Sequence, residues 1–171
     1  HRFSSFRSTG TGREKKLDLS SLITETLELF VHGPECKQNI RVTQSIAPGL
    51  FIEGNAGHLK QVFWNIVKNA AQSQPEGGDI HVVALIEHRE TTSEEDFSNR
   101  KIKISIKDNG CGIPQEIQKK IFDPFFTTKE QGSGLGLAIS YRIIENHKGE
   151  LTIRSGENQG TEVIIYLPLT F

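Results

Sequence analysis

The sequence predicts a two-layer α/β sandwich, in which a mixed, mostly antiparallel sheet carries helices on one face. Three observations lead there. Short stretches alternate apolar and polar residues, most clearly Lys101-Ile-Lys-Ile-Ser-Ile-Lys107. Each such strand has one face that needs cover and one that does not. Longer stretches place apolar residues at the i, i+3, i+4 spacing of an amphipathic helix. The two kinds of segment run in the order helix, strands, helix, long hairpin, helix, hairpin, which suits helices covering one side of one sheet.

Residues 1–16 are polar and basic, with Phe3 and Phe6 as their only large apolar side chains. They read as the frayed end of a preceding element plus a linker. A helix is predicted from Asp18, with Leu19, Leu22, Ile23, Thr26 and Phe30 on one face and Gly33-Pro34 stopping it. Ile40 to Ile46 alternates as a strand, Pro48-Gly49 turns the chain, and Leu50-Phe-Ile52 forms a short strand. The strongest helix covers residues 56–74, with Leu59, Val62, Phe63, Ile66 and Ala70 on its apolar face. Pro75-Glu-Gly-Gly78 ends it. Ile80, Val82, Ala84 and Ile86 alternate as the next strand. Residues 87–100 form a polar, acidic, exposed and mobile connection (Glu87, Glu90, Glu94, Glu95, Asp96), and Ile102, Ile104 and Ile106 bring the chain back. Asp108 to Pro114 is a loop, with Pro114 as the first residue of a short helix. Residues 122–134 are loop-like. Leu135 to His147 is a helix closed by Lys148-Gly149. Leu151-Thr-Ile153 and Thr161 to Leu167 make a last hairpin through Gly156-Glu-Asn-Gln-Gly160.

The chain has 171 residues, 35% hydrophobic and 24% charged, the balance of one globular domain with a core. A formal net charge of -1 provides no basic field, so nucleic acid is not an expected partner. A local anion site stays open, because backbone N–H groups bind phosphate without net positive charge. Cys36 and Cys111 form no C-x-x-C pair and no disulfide framework, which points to a reducing cytoplasm. No run approaches the roughly 20 apolar residues of a membrane span, and no signal peptide is visible. Methionine is absent, so the chain reads as a fragment, and any membrane anchor is left to the part outside it.

Four segments carry chemistry. On the helix over 56–74, Asn65 and Asn69 lie one turn apart at the edge of the apolar face. An amide oxygen there can ligate a hard cation such as Mg²⁺ shared with phosphates, or the pair can satisfy local backbone. Asp108 continues the even-numbered series Ile102, Ile104, Ile106 and so points toward the covered face. A carboxylate there needs a donor, either the exocyclic amine of a base or an N–H of the Gly110–Gly112 loop. An Asp-Asn-Gly turn is the simpler alternative. In Gly132-Ser-Gly-Leu-Gly-Leu137, alternate glycines free successive N–H groups to converge on an anion at a helix start. No Gly-Lys-Ser/Thr follows and no strand precedes, which excludes the P-loop and the dinucleotide fingerprint. Thr161 shares parity with Val163, Ile165 and Leu167, so its hydroxyl also points inward. Together these describe a base acceptor, a cation ligand and a phosphate cradle.

In this order the segments resemble the catalytic domain of sensor histidine kinases, within the wider family that includes gyrase, Hsp90 and MutL. Asn65-x-x-x-Asn69-Ala70 resembles the N box, and Asp108-x-Gly110-x-Gly112-Ile113 the first glycine box. Ile121-Phe-Asp-Pro-Phe-Phe-Thr-Thr-Lys129 resembles the F box, and Gly132-x-Gly134-Leu-Gly136-Leu137 the second glycine box. The Pro-Phe-Phe-Thr-Thr-Lys form is similar to the nitrogen-regulator subgroup. The resemblance covers residues 18–168. It implies ATP and Mg²⁺ as ligands. Asp108 is implied to accept the adenine amino group with Thr161 supporting it, alongside Gly110, Gly112 and Ile113. Asn69 is implied to hold the metal, with Asn65 beside it. Backbone of Gly134, Leu135 and Gly136, flanked by Gly132, Ser133 and Leu137, is implied to wrap the phosphates. Residues 114–132 are implied to be a lid, anchored by Phe125 and Phe126, from which Thr127, Thr128 or Lys129 approaches the γ-phosphate. Asn65, Asn69 and Lys129 are thus the implied catalytic residues.

The same resemblance divides the chain into residues 1–16, a remnant of the dimerisation helix and linker, and 17–171, the catalytic domain. It implies a dimerisation and phosphoacceptor domain and a downstream response regulator as partners. The fragment is then monomeric and the whole kinase a homodimer. The phosphoacceptor motif, a His followed by an acidic residue and a Pro, is missing. His58, His81 and His147 read as ordinary surface or boundary residues. Gln72 and Ser73 stand where many relatives carry a basic or aromatic residue, so phosphate contact from them is not expected. Cys111 fills the variable slot of the first glycine box, near the expected adenine. An ATPase or nucleotide-sensing module of the same fold is the rival reading. Such ATPases carry a Glu where Asn65 stands, and an amide cannot act as the general base for water.

Overall fold

A computed structural model describes residues 15–37, 39–88 and 100–171. The elements run β1 (Lys15–Asp18), α1 (Leu19–Val31), β2 (Ile40–Ile46), β3 (Phe51–Gly54), α2 (Ala56–Gln72), β4 (Gly78–His88), β5 (Arg100–Asp108), α3 (Gln115–Gln118), α4 (Gly136–Asn146), β6 (Glu150–Ser155) and β7 (Thr161–Pro168). The main sheet has the order β2-β4-β5-β7-β6. Its β2–β4 pair is parallel and the other three are antiparallel. This is the mixed, mostly antiparallel sheet with helices on one face that the alternating strands predict. Among the described residues no helix is long and apolar enough to cross a membrane.

The period-two pattern sets which face is covered. Ile80, Val82 and Ala84 of β4 and Ile102, Ile104 and Ile106 of β5 are buried, and so are Val163, Ile165 and Leu167 of β7. α1 buries Leu19, Ile23, Thr26, Leu27 and Phe30. α2 buries Leu59, Val62, Phe63, Ile66, Val67, Ala70 and Ala71. The two helices also meet through the Phe30 and Trp64 rings, edge to face at 5.5 Å, a favoured aromatic geometry. Burying one such aliphatic side chain is worth about 1.5–3 kcal/mol, so the core rather than any surface ion pair sets the fold.

Local chemistry fixes the helix ends. Asp18 caps α1, accepting from the Ser21 N–H at 3.2 Å and the Ser21 hydroxyl at 2.8 Å. Asn55 caps α2, accepting from the His58 N–H at 3.0 Å. α4 starts differently, because Leu135 provides no side-chain cap. The buried Gln74 closes the turn from α2 into β4. Its amide N–H groups donate to the Ala70 and Asp79 carbonyls, and its oxygen accepts from the Asp79 N–H. His147 ties the end of α4 to the start of α2. Its Nε2 accepts from the Asn55 N–H at 3.1 Å, and its Nδ1 lies 2.7 Å from the Ile143 carbonyl, which it meets as the donor. That structural role agrees with its reading as a boundary residue.

Three expectations are corrected. Lys15 and Lys16 are not linker, because β1 pairs antiparallel with β3, Lys15 opposite Gly54 and Lys16 opposite Glu53. The helix begins one residue after Asp18, which serves as its cap. Pro114 stands just before α3 rather than inside it, with an extended ψ of 142°. The predicted acidic connection falls largely on residues 89–99, outside the described residues. Glu87 and His88 belong to β4, and Arg100 to β5.

Candidate functional site

Asp108 ends β5 directly opposite Thr161, the first residue of β7. The alternation that buries Ile104 and Ile106 carries Asp108 inward, and only 4% of it is exposed. Its Oδ1 accepts from the Gly110 N–H at 2.8 Å and shares the Ser73 hydroxyl, 3.2 Å away, with the Ala70 carbonyl, which lies 2.8 Å from that hydroxyl. Burial pushes the carboxyl above the usual carboxylate range, while the N–H of Gly110, the Ser73 hydroxyl and the Thr161 backbone oppose it. A carboxylate kept in so dry a place favours a ligand that brings a further donor.

The loop after Asp108 is held from both sides. The Cys111 N–H donates to the Ser73 carbonyl, and the Asn158 N–H donates to the Cys111 carbonyl at 2.7 Å. The Ile113 N–H donates to the Ser155 hydroxyl, and the Ile113 carbonyl accepts from the Gln118 amide, both at 2.8 Å. Gly112 has φ +70°, and a Cβ there would collide with the Gly156 carbonyl. A side chain would be strained and obstructed. The Thr161 hydroxyl pairs with the Ser155 hydroxyl at 2.9 Å, so it braces the loop while the Thr161 backbone faces Asp108. Cys111 itself is exposed.

The second glycine segment forms an open end. The first backbone bond of α4 is from the Ile139 N–H to the Leu135 carbonyl. The N–H groups of Gly136, Leu137 and Ala138 precede it, and no side chain caps the helix. Such orphan donors at a positive helix end form an anion site. The Leu135 N–H is turned toward the Ser133 hydroxyl at 3.3 Å. A Cβ on Gly136 would meet nothing closer than the Asn65 amide carbon at 3.8 Å. The fold has room for a methyl there. The Asn65 amide donates to the Gly136 carbonyl at 3.4 Å, so this Asn braces the helix start.

Asn69 faces the lid. Its Oδ1 and the Gln72 Oε1 accept from the Lys129 ammonium at 3.1 Å and 2.5 Å. Two neutral amide oxygens on one cation are the donor chemistry that a hard metal ion uses, so the residues present fit Mg²⁺ carried in with phosphates. Partial burial and the neighbouring Lys68 push the Lys129 ammonium below its ordinary value. Lys68 itself pairs with Glu35 at 3.0 Å. The Thr127 hydroxyl accepts from the Lys129 N–H at 3.0 Å. Thr127, Thr128 and Ser133 are exposed.

In the segment over 114–132, expected to act as a lid, Phe125 is not the anchor. Phe125 is 76% exposed with φ +68°. That left-handed turn throws its ring outward, while its N–H donates to the Gly134 carbonyl at 2.9 Å. Phe126 is only half-buried. Ile121 is buried, and Phe122 packs on Tyr141 of α4 at 5.1 Å. Around the candidate site stand Gln72 and Ser73, from which phosphate contact was not expected, and Gln118 and Ser155, which sequence reasoning did not single out. Ser73 stands at the end of the Asn65–Asn69 helix, a position that could have flagged it. Ser155 reaches the loop from the final hairpin and Gln118 reaches it from α3, and no local pattern announces them.

Comparison with known proteins points to one family. A family model described as histidine kinase-, DNA gyrase B-, and HSP90-like ATPase matches residues 54–171. Sporulation kinase A of Bacillus subtilis (strain 168) is 39% identical over 152 residues, covering 89% of this chain and 23% of that protein. The chain spans between 15% and 26% of the length of the first curated relatives it matches. Among solved structures, the catalytic domain of histidine kinase ThkA, in a nucleotide-free form, superposes with a TM-score of 0.73 at 34% identity. It covers 92% of this chain and 97% of its own. Full-length ShkA in complex with AMPPNP gives a TM-score of 0.73 at 25% identity, covering 92% of this chain and 31% of its own.

Proposed function

The chain belongs to the histidine kinase-, DNA gyrase B- and HSP90-like ATPase family, and we propose that it is the ATP-binding catalytic domain of a two-component histidine kinase. In this reading the γ-phosphoryl group of ATP passes to an imidazole nitrogen of a histidine on a dimerisation domain outside this chain, and ADP leaves. The phosphohistidine then serves a response regulator. The observation that carries the reading is the alignment of three features in one site. These are the buried Asp108 carboxylate, the uncapped start of α4, and the Asn69 oxygen on a cation between them in sequence.

Each residue has a part in it. Asp108 accepts the adenine amino group, with Ser73, Gly110 and Thr161 holding it in place. Gly112 and Ile113 wall the base. Orphan N–H groups at Gly136 and Leu137, with Gly132, Ser133, Gly134 and Leu135 before them, receive the phosphates. Asn69 would hold Mg²⁺, which neutralises phosphate charge when bound. Thr127, Thr128 and Lys129 bring the lid to the γ-phosphate. Asn65 supports the reading over an ATPase, because its amide is engaged as a donor to Gly136 and offers no base for water. Residues before Lys15 continue, in this reading, from the dimerisation helices, and the whole kinase is a homodimer.

The test supplies a two-helix phosphoacceptor domain with γ-labelled ATP. Label on its histidine, lost with Asp108→Ala and Asn69→Ala, is the expected outcome. Rapid phosphate release by the chain alone, without transfer, would favour the ATPase reading.

A further inference from the structure

Phosphate contact was not expected from Gln72, and its oxygen instead shares one cation with that of Asn69. The two residues stand three apart on α2, near its end, so their side chains lie on one face. Gln72 Oε1 is 2.5 Å and Asn69 Oδ1 is 3.1 Å from the Lys129 ammonium. Lys129 comes from the lid, 60 residues beyond Asn69 in sequence, so the contact closes the lid onto α2. Among the described residues no carboxylate pairs with Lys129. Lys68 beside it is already paired with Glu35, and its positive charge disfavours a second ammonium nearby. The ammonium is therefore held by oxygen dipoles rather than by an ion pair, the kind of binding a metal ion would displace.

We infer that Asn69 and Gln72 form a two-oxygen cation clamp, which the lid's own Lys129 fills when no nucleotide is present and yields to Mg²⁺ when nucleotide binds. This rests on the reading of Asn69 as the metal ligand. It adds a second oxygen to that site and makes lid and metal competitors for it. Lys129 is freed for the phosphates only when the metal takes its place, so metal binding and lid release are one event.

The experiment is calorimetric titration of ADP into the chain with Mg²⁺ and with chelator, the readout being the ratio of the two affinities. Gln72→Ala is expected to lower that ratio about three- to tenfold through loss of one oxygen ligand, with cooperative thermal melting as the check on folding. Lys129→Gln is expected to raise the ratio, because the internal cation no longer competes. Hydrogen exchange over residues 127–134 of the nucleotide-free protein is expected to quicken in both variants, since each breaks the latch. If Asn69→Ala leaves the ratio unchanged, the metal-ligand reading fails and this inference with it. If Asn69→Ala lowers the ratio and Gln72→Ala does not, the clamp alone is overturned. An unchanged or lower ratio for Lys129→Gln overturns the competition.

Discussion

The two ends of the site are built by opposite means. At the base end, Asp108 is placed by strand register, is 4% exposed, and is held by Ser73 and Gly110. At the phosphate end, Thr127, Thr128 and Ser133 are exposed, and α4 begins without a side-chain cap although α1 and α2 each have one. The Asp108 end, proposed to take the base, is part of the folded core. The phosphate end is a set of donors left over by the fold, completed by whatever anion binds. Substitutions at the base end should therefore cost stability and affinity together, and those at the phosphate end affinity alone.

The largest effect is expected at the base end. Gly112→Ala puts a side chain at positive φ and against the Gly156 backbone, which should cost about 2–4 kcal/mol of stability. Urea denaturation measures it. Gly136→Ala is the counterpart. Its methyl meets only ordinary contacts, so stability should stay the same or rise by up to about 1 kcal/mol. In the proposed reading nucleotide affinity should nevertheless fall about tenfold or more, because the methyl would crowd a phosphate bound at the helix start. Equal loss of stability in the two variants would erase the distinction between the ends.

How much of this was legible follows the same division. The faces of α1 and α2 and the inward parity of Asp108 and Thr161 were readable, because strong periodicity is a local property of the chain. β1 was not. Lys15-Lys-Leu-Asp18 lacks alternation, and its strand form comes from its partner, β3. The outward turn of Phe125 was hidden for a related reason, since a left-handed backbone at a Phe is set by the Gly134 carbonyl that its N–H must reach. Ser73, Gln118 and Ser155 act through hydrogen bonds made by segments far apart in sequence, up to 42 residues for Ser155 and Ile113. No spacing rule reports such bonds.

The smallest effect concerns pH. Burial holds the Asp108 carboxyl above the usual range. Its ionised form is therefore less welcome in the folded chain than in the unfolded one. Its cost to stability is full above the raised value and is relieved as pH falls through the window down to the ordinary carboxylate range. Adenine binding uses the ionised acceptor, so affinity should run the other way and fall with pH through that window. Ser73→Ala removes a hydrogen bond that opposes the shift and should move this acid limb to higher pH. An unmoved limb would separate Ser73 from Asp108.

The central claim is that the buried Asp108 reads the base of ATP. Calorimetric titration of Mg²⁺–ATP into the native chain and Asp108→Ala, both checked for cooperative melting, tests it most directly. The expected result is binding by the native chain and a loss of about 100-fold or more in the folded variant, the scale of a charge-assisted hydrogen bond in a dry site. Unchanged ATP affinity in a folded Asp108→Ala would contradict the account.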